Sequence, residues 1–360
     1  MVHKRNLLLD YLKGLAIFLV VWGHTMQYAA GPVNVFINPV FIAIYSFHMP
    51  LFMAVSGYLF FQSQAKRPLR QLLQAKVKQV LVPLLAWAVI IMVVDNRGVI
   101  QHQPRLLPEV LTLTSYSNEV VWTLWFLWAS FICSVVAAVV NKKLGDSAWS
   151  YLGVIIVVLL LPNAHYFFYI KYMLPYFFAG YLYHKYASRL QLVRQVAVYL
   201  SFLGWPLLLL AWQREDYIYF SGPTFSLLDP HSLLIIGYRY LIGAFGVIIF
   251  TVLVHKLLVA APARRVAAWL GTYSLGIYVL GFVINPLLIV RLHAGYGSPM
   301  LYSFILTSLI AAAVAGVAGG LTQAISRVPL LNRLLLGGRN AAPAQNPQPA
   351  LVVPLAEPAG

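Results

Sequence analysis

The chain has 360 residues, of which 61% are hydrophobic and 9% charged, and its formal net charge is +16. A soluble protein carries about 25% charged residues, so lipid must solvate much of this chain. With so few charges, the basic excess fits membrane anchoring and orientation better than nucleic-acid binding. A single cysteine, Cys133, excludes an intramolecular disulfide and a thiolate metal cluster.

Backbone groups in hydrocarbon must pair internally, which leaves helices or closed barrels. Barrel strands alternate apolar and polar over about ten residues. Here the apolar runs are unbroken and near the ~20 residues that cross a bilayer. The fold class predicted is all-α, a polytopic integral membrane protein with about ten transmembrane helices. In chain order they fall at 7–28, 37–60, 79–94, 121–140, 150–162, 166–184, 195–212, 232–254, 266–290 and 300–325. The third and fifth are short. Residues 1–337 form one transmembrane domain in this reading, and the Pro- and Ala-rich segment 338–360 a disordered tail.

The first run follows His3, Lys4 and Arg5 and has the look of a cleaved leader. Asp10, Lys13 and His24 interrupt it, and it exceeds the roughly 7–15 apolar residues of such leaders, so a retained helix is expected. Lys13 and His24 are eleven residues apart, which puts them within about 20° of each other on a helix, three turns apart along it. Asp10 lies one turn before Lys13 and can pair with it. Ionisable groups inside a span are costly and mark sites by default. A histidine kept from water stays neutral and can accept a proton, the state a general base needs. Taken singly, Lys13 snorkelling to the surface and His24 resting at the interface are equally good readings; the shared face favours a site.

In the second span His48 precedes Pro50. It is read either as a buried residue helping to satisfy backbone groups freed by the proline or as support for His24, although it lies deeper than His24. Arg67 and Arg70 follow on the next link, where guanidinium forks suit phosphate and charge near the membrane equally serves anchoring. The two long polar loops, near 95–120 and 213–231, hold Asp95, Glu109, Glu119, Glu215, Asp216 and Asp229 with Tyr116, Tyr217 and Tyr219. Such loops suit a sugar-like ligand, or are simply solvated loops with interfacial aromatics. Arg239 is the other intramembrane cation, read as snorkelling or as meeting a bound saccharide or an acid such as Asp229; Glu119, opening the fourth span from outside, is a candidate to share that pocket. Lys171 and His165 are read as interfacial. Ala311, Ala312, Ala313, Gly316, Gly319 and Gly320 in the last span are read as a close-packing surface.

With the N-terminus inside, Arg97, Arg105, Lys171, Arg214 and Arg291 are the Lys and Arg residues on outer segments, and nearly all the others are inner. That asymmetry predicts an even number of crossings, with both termini cytoplasmic.

Several segments together carry a family resemblance. Asp10-x-x-Lys13-Gly14, with His24 following, resembles the Arg/Lys-x10-His signature of the acyltransferase 3 family. Phe47-His48-Met49-Pro50-Leu51-Phe52 and Ser56-Gly57-Tyr58 in the second span, Arg67-x-x-Arg70, Leu124-Trp125-Phe126-Leu127 and Ser274-Leu275-Gly276-Ile277-Tyr278 are similar to further family segments, in order. Two positions depart from the pattern. Lys13 stands where Arg is common, which loses the planar fork. Gly281 stands where many members have a histidine.

The resemblance implies an O-acyltransferase of a bacterial inner membrane. It would move an acyl group, most often acetyl, from cytoplasmic acyl-CoA to a hydroxyl of an exported glycan or lipid-linked saccharide, such as an exopolysaccharide or lipopolysaccharide. His24 would be the general base and Lys13 would support the donor or the oxyanion. Arg67 and Arg70 would grip CoA phosphates, with Asp10, His48, Glu119 and Arg239 as candidates for substrate contact or support. Acyl-CoA is then a co-substrate with no bound cofactor or metal, and the partners are the saccharide acceptor, membrane lipid and a polysaccharide-assembly complex, with no nucleic acid. A transporter of a glycan intermediate is the competing reading, since intramembrane charges also mark transport paths.

Overall fold

The computed structural model describes residues 7–29, 35–64, 67–163, 166–224, 227, 229–257, 261–289 and 302–338. Lys66, His165, Arg291 and the tail from 339 onward lie outside the described residues. The described chain is helical and contains no strand. The main helices are α1 (Leu7–Ala29), α2 (Pro39–Gln64), α3 (Leu69–Asp95), α4 (Trp125–Leu144), α5 (Ala148–Leu160), α6 (Phe168–Tyr186), α7 (Gln191–Leu210), α8 (Pro230–Leu257), α9 (Ala261–Thr272), α10 (Ser274–Ile289), α11 (Thr307–Arg327) and α12 (Pro329–Leu335).

Among the described residues, seven helices are long and apolar enough to cross a membrane, and eight if the bent pair α9–α10 is one span. The protein is therefore a multi-pass membrane protein. Within the described residues each of the ten predicted runs lies on a helix, but four differ from the expectation. The third is not short: α3 runs 27 residues, because Arg70, Gln71, Gln74, Lys76 and Lys78 extend the helix beyond its apolar part. The fifth, α5, has 13 residues, about 20 Å of rise against a ~30 Å core. The ninth is broken, with its halves at 79° and the bend at Tyr273.

The sixth helix is too polar for a lipid-facing span and is buried in protein instead. Tyr169, Met173, Phe177 and Tyr181 of α6 have almost no exposed surface. Lys171 was expected at the interface. It is 2% exposed, and its Nζ donates to the Leu161 carbonyl at 2.7 Å, capping the far end of α5. At the near end Asp146 ties the same two helices. Its carboxylate pairs with Lys185 at 2.7 Å and accepts from the hydroxyls of Tyr151 and Tyr181 at 2.9 and 3.0 Å.

Two crossings bring helix backbones into direct contact. A Cβ on Gly14 of α1 would lie 1.8 Å from the Ala267 carbonyl oxygen of α9, and one on Gly271 would lie 2.0 Å from the Asp10 carbonyl oxygen. Between α2 and α6, Gly57 faces the Phe177 carbonyl and Gly180 the Ala54 carbonyl, each with 1.9 Å to a Cβ. In lipid, where apolar burial no longer drives helices together, such close approach supplies the packing energy. On α11 only part of the predicted small-residue surface packs this way. Gly319 receives the Trp269 ring, whereas Gly316 and Gly320 face open space among the described residues.

Candidate active site

Helix α1 sits at the centre of the bundle, packed against α2, α9, α10 and α11. Its side chains bind the neighbours at several levels. Trp22 Nε1 donates to Thr307 Oγ1 on α11 at 2.8 Å, and Thr25 Oγ1 donates to Asn285 Oδ1 on α10 at 3.1 Å. Asp10 is 6% exposed and its carboxylate lies 2.7 Å from Lys13 Nζ. The polar stripe of α1 thus faces protein at both ends. Because α1 is one uninterrupted helix, Lys13 and His24 are about 16 Å apart along it.

His24 is half-buried. Its Nδ1 lies 2.9 Å from Gln27 Oε1 and its ring 4.9 Å from the Phe282 ring of α10. An amide oxygen only accepts, so Nδ1 carries the proton and Nε2 the lone pair. Phe282 packs on Tyr278, whose hydroxyl donates to the Thr123 carbonyl at 3.3 Å. The Ser274–Tyr278 segment therefore starts at the bend after α9 and carries α10 back to the imidazole.

The neighbouring helix brings His48 to the same end of the bundle. Gly23, beside His24, leaves no room for a Cβ because the Tyr45 ring of α2 lies 2.6 Å from that position. Tyr45 in turn meets the His48 ring edge-on at 4.7 Å. His48 is 4% exposed and its Nδ1 donates to the Ile44 carbonyl at 2.7 Å, so its Nε2 is also the unprotonated nitrogen. It lies about one turn deeper than Tyr45, within electrostatic reach of His24.

Glu119 and Arg239 each make their own set of contacts. Glu119 opens a π-turn, Glu119–Thr123, before α4, and its Oε2 accepts from Thr123 Oγ1 at 2.6 Å. Burial lifts its carboxyl above the ordinary range; the Thr123 hydroxyl opposes this and the Asp95 carboxylate adds to it. Both acids lie within electrostatic reach of Tyr28 at the end of α1, so Glu119 belongs to the α1 side.

Arg239 does not snorkel. It is 3% exposed, its Nε donates to the Asp216 carbonyl at 3.0 Å, and its Nη2 donates to the Glu215 carbonyl at 3.3 Å and to the Ser221 hydroxyl. Asp229 is not its partner, because that carboxylate caps the first turn of its own helix, accepting from Ser232 N and Oγ at 2.9 and 2.7 Å. Arg67 and Arg70 are exposed at the start of α3, on the side where α1 begins and α2 ends.

Sequence reasoning passed over Asn285 and Tyr45. Asn285 is fully buried, and its Nδ2 finds no acceptor among the described residues. An asparagine inside an apolar helix is itself a sign of a helix–helix contact. Tyr45 sits between the two histidines, a relation set by packing of α1 on α2 rather than by spacing within either.

The sequence matches the acyltransferase 3 family, described as an acyltransferase domain, over residues 6–320. It is 31% identical over 231 residues to the nodulation protein NolL of Mesorhizobium japonicum, covering 60% of this chain and 59% of that protein. Its identity to the nodulation protein NolL of Sinorhizobium fredii is 30% over 227 residues, covering 60% of each chain. The match thus spans about three fifths of the length of these relatives. No solved structure matches.

Proposed function

The chain belongs to the acyltransferase 3 family, and on that footing we propose that it moves an acyl group, acetyl in the simplest case, from acyl-CoA to a hydroxyl of a saccharide destined for the cell surface. The carrying observation is His24. It lies on the central helix with Nδ1 held by Gln27 and Nε2 left with its lone pair. In this reading Nε2 takes the proton of the acceptor hydroxyl as that oxygen attacks the thioester carbonyl. The C–S bond breaks and CoA leaves as the thiol.

The donor approaches from the end of α1 that holds Lys13. At about 16 Å from His24, Lys13 is too far to meet an oxyanion beside the imidazole, so its charge serves the CoA end, with Asp10 fixing its position. Arg67 and Arg70 lie on that same side and take the CoA phosphates by charge-assisted hydrogen bonds. The CoA pantetheine arm follows α1 inward, and the acceptor enters from the opposite face. In this reading the membrane is a bacterial inner membrane, with both termini in the cytoplasm and the acceptor outside.

The arginine pair tests the donor half of this reading. With Arg67→Gln and Arg70→Gln together, the KM for acyl-CoA rises tenfold or more, since each charge-assisted contact contributes about 1.5–3 kcal/mol, while kcat stays close to the parent value. Steady-state kinetics of the purified protein at two salt concentrations measure this. Equal KM in variant and parent assigns the pair to membrane anchoring.

A further inference from the structure

Helices α1 and α10 run side by side in the same direction. Thr25 Oγ1 donates to Asn285 Oδ1 at 3.1 Å, and Val21 is the neighbour of Gly281. Each pair thus lies four residues, about one turn, from the other. His24 is level with the first pair, since it adjoins Thr25 and its ring lies 4.9 Å from that of Phe282, which follows Gly281 on α10. A donor arm that moves along α1 from Lys13 therefore passes Gly281 before it reaches Asn285.

Two independent features of this seam point to a ligand. The Asn285 side chain is fully buried, with Oδ1 taken by Thr25 and Nδ2 without an acceptor among the described residues. An amide N–H hidden from water with no partner is a standing cost to the folded protein. Other donors near it are spent within the protein: Trp22 Nε1 on Thr307, and the Tyr278 hydroxyl on the Thr123 carbonyl. One turn nearer Lys13 the seam is loosely filled. A Cβ built on Gly281 would meet Val21 Cγ2 at 3.9 Å and no other neighbouring atom within 4 Å among the described residues.

The chemistry has a need at this level. Attack on a thioester puts negative charge on the carbonyl oxygen, and Lys13 is about 16 Å from His24 along α1. A donor fixed in a water-poor place, with no acceptor before the reaction, is the group that serves such an oxygen. We propose that Asn285 is a further catalytic residue, its Nδ2 donating to the thioester carbonyl oxygen as that becomes an oxyanion, with the acyl-bearing end of the donor against Gly281. As the acceptor oxygen bonds to the carbonyl carbon, its proton passes to His24 Nε2 and the C=O π pair moves onto the oxygen held by Asn285. Collapse re-forms C=O and breaks the C–S bond, and the departing thiolate takes the proton from His24. Thr25 is a positioning residue that fixes the amide plane through Oδ1. The assignment rests on the acyl-transfer reading above.

Inverted membrane vesicles from cells that make the saccharide, supplied with radiolabelled acetyl-CoA, test it. Asn285→Leu lowers kcat by about 10²–10³-fold, the loss on removing one oxyanion donor, and leaves the KM for acetyl-CoA near the parental value. Its thermal unfolding in detergent is unchanged or shifted upward, because an orphaned donor is exchanged for methyl groups and the Thr25 hydroxyl can turn to the Val21 carbonyl one turn back. Asn285→Ala removes the same donor with less bulk and gives the same result. In purified His24→Ala protein holding carbon-13-labelled acetyl-CoA, the infrared band of the thioester carbonyl moves to higher wavenumber when Asn285→Leu is added.

A residue that merely ties α10 to α1 behaves otherwise: stability and kcat fall together, Thr25→Val falls as far as Asn285→Leu, and the carbonyl band stays in place. That pattern, or parental kcat in both Asn285 variants, overturns the assignment and leaves the acyl-transfer reading standing. No label incorporated by the parent protein ends that reading, and the assignment with it.

Discussion

Replacing His24 with alanine lowers acyl transfer by about 10²–10⁴-fold, the contribution of a positioned general base, without removing the protein from the membrane. The side chain is half-buried and its contacts are local, to Gln27 and to the Phe282 ring. Alanine is the best helix former, so α1 keeps its length, and the anchors Trp22–Thr307 and Thr25–Asn285 on either side of position 24 remain. The KM for acyl-CoA stays near the parental value, because the donor contacts lie about 16 Å away along the helix. Base-labile acyl groups released from the surface saccharide, with the amount of exported saccharide as the parallel readout, measure the effect. Lost acylation with normal export supports the enzyme. Lost export with normal acylation of what remains marks a transporter.

The largest effect on folding comes from Gly14→Ala. A single methyl there would meet the Ala267 carbonyl at 1.8 Å and the Gly271 nitrogen at 2.9 Å, all of it backbone. No rotamer relieves such a contact, so α1 and α9 must separate. The cost lies at or above the upper end of the ~1–3 kcal/mol typical of overpacking. Separating α9 also moves α10, which begins two residues after α9 and carries Phe282 and Asn285 to the His24 level. Activity should therefore fall with stability. Gly316→Ala on α11 is the matched control: its added methyl meets nothing within 4 Å among the described residues. Relief of glycine's helix penalty there is neutral or stabilising by up to about 1 kcal/mol. Thermal unfolding of both variants in detergent compares them directly.

The helical membrane architecture was legible because apolar runs near membrane thickness dominate the composition. The shared face of Asp10, Lys13 and His24 was legible because it depends only on helical period. What lay beyond the sequence depends on contacts between elements. The bend at Tyr273 is hidden because Gly271, Thr272, Tyr273 and Ser274 include no proline, and none of them by itself ends a helix. The partner of Arg239 could not be read from charge, since the nearest acid in the sequence reading, Asp229, is occupied by its own helix start, and the guanidinium satisfies loop carbonyls instead. Lys171 looked interfacial because nothing in its own helix marks the exposed carbonyl of Leu161 that it caps. The Gly14 contact was hidden in plain view, because one glycine in a motif does not say which carbonyl lies against it.

The account turns on donor and acceptor meeting from opposite ends of α1. Sealed vesicles containing the purified protein, with acyl-CoA on one side and a saccharide acceptor only on the other, test this directly. The acylated saccharide should accumulate in the acceptor compartment while free CoA stays with the donor, and His24→Ala should form neither. Product that forms only when donor and acceptor share a compartment would contradict it.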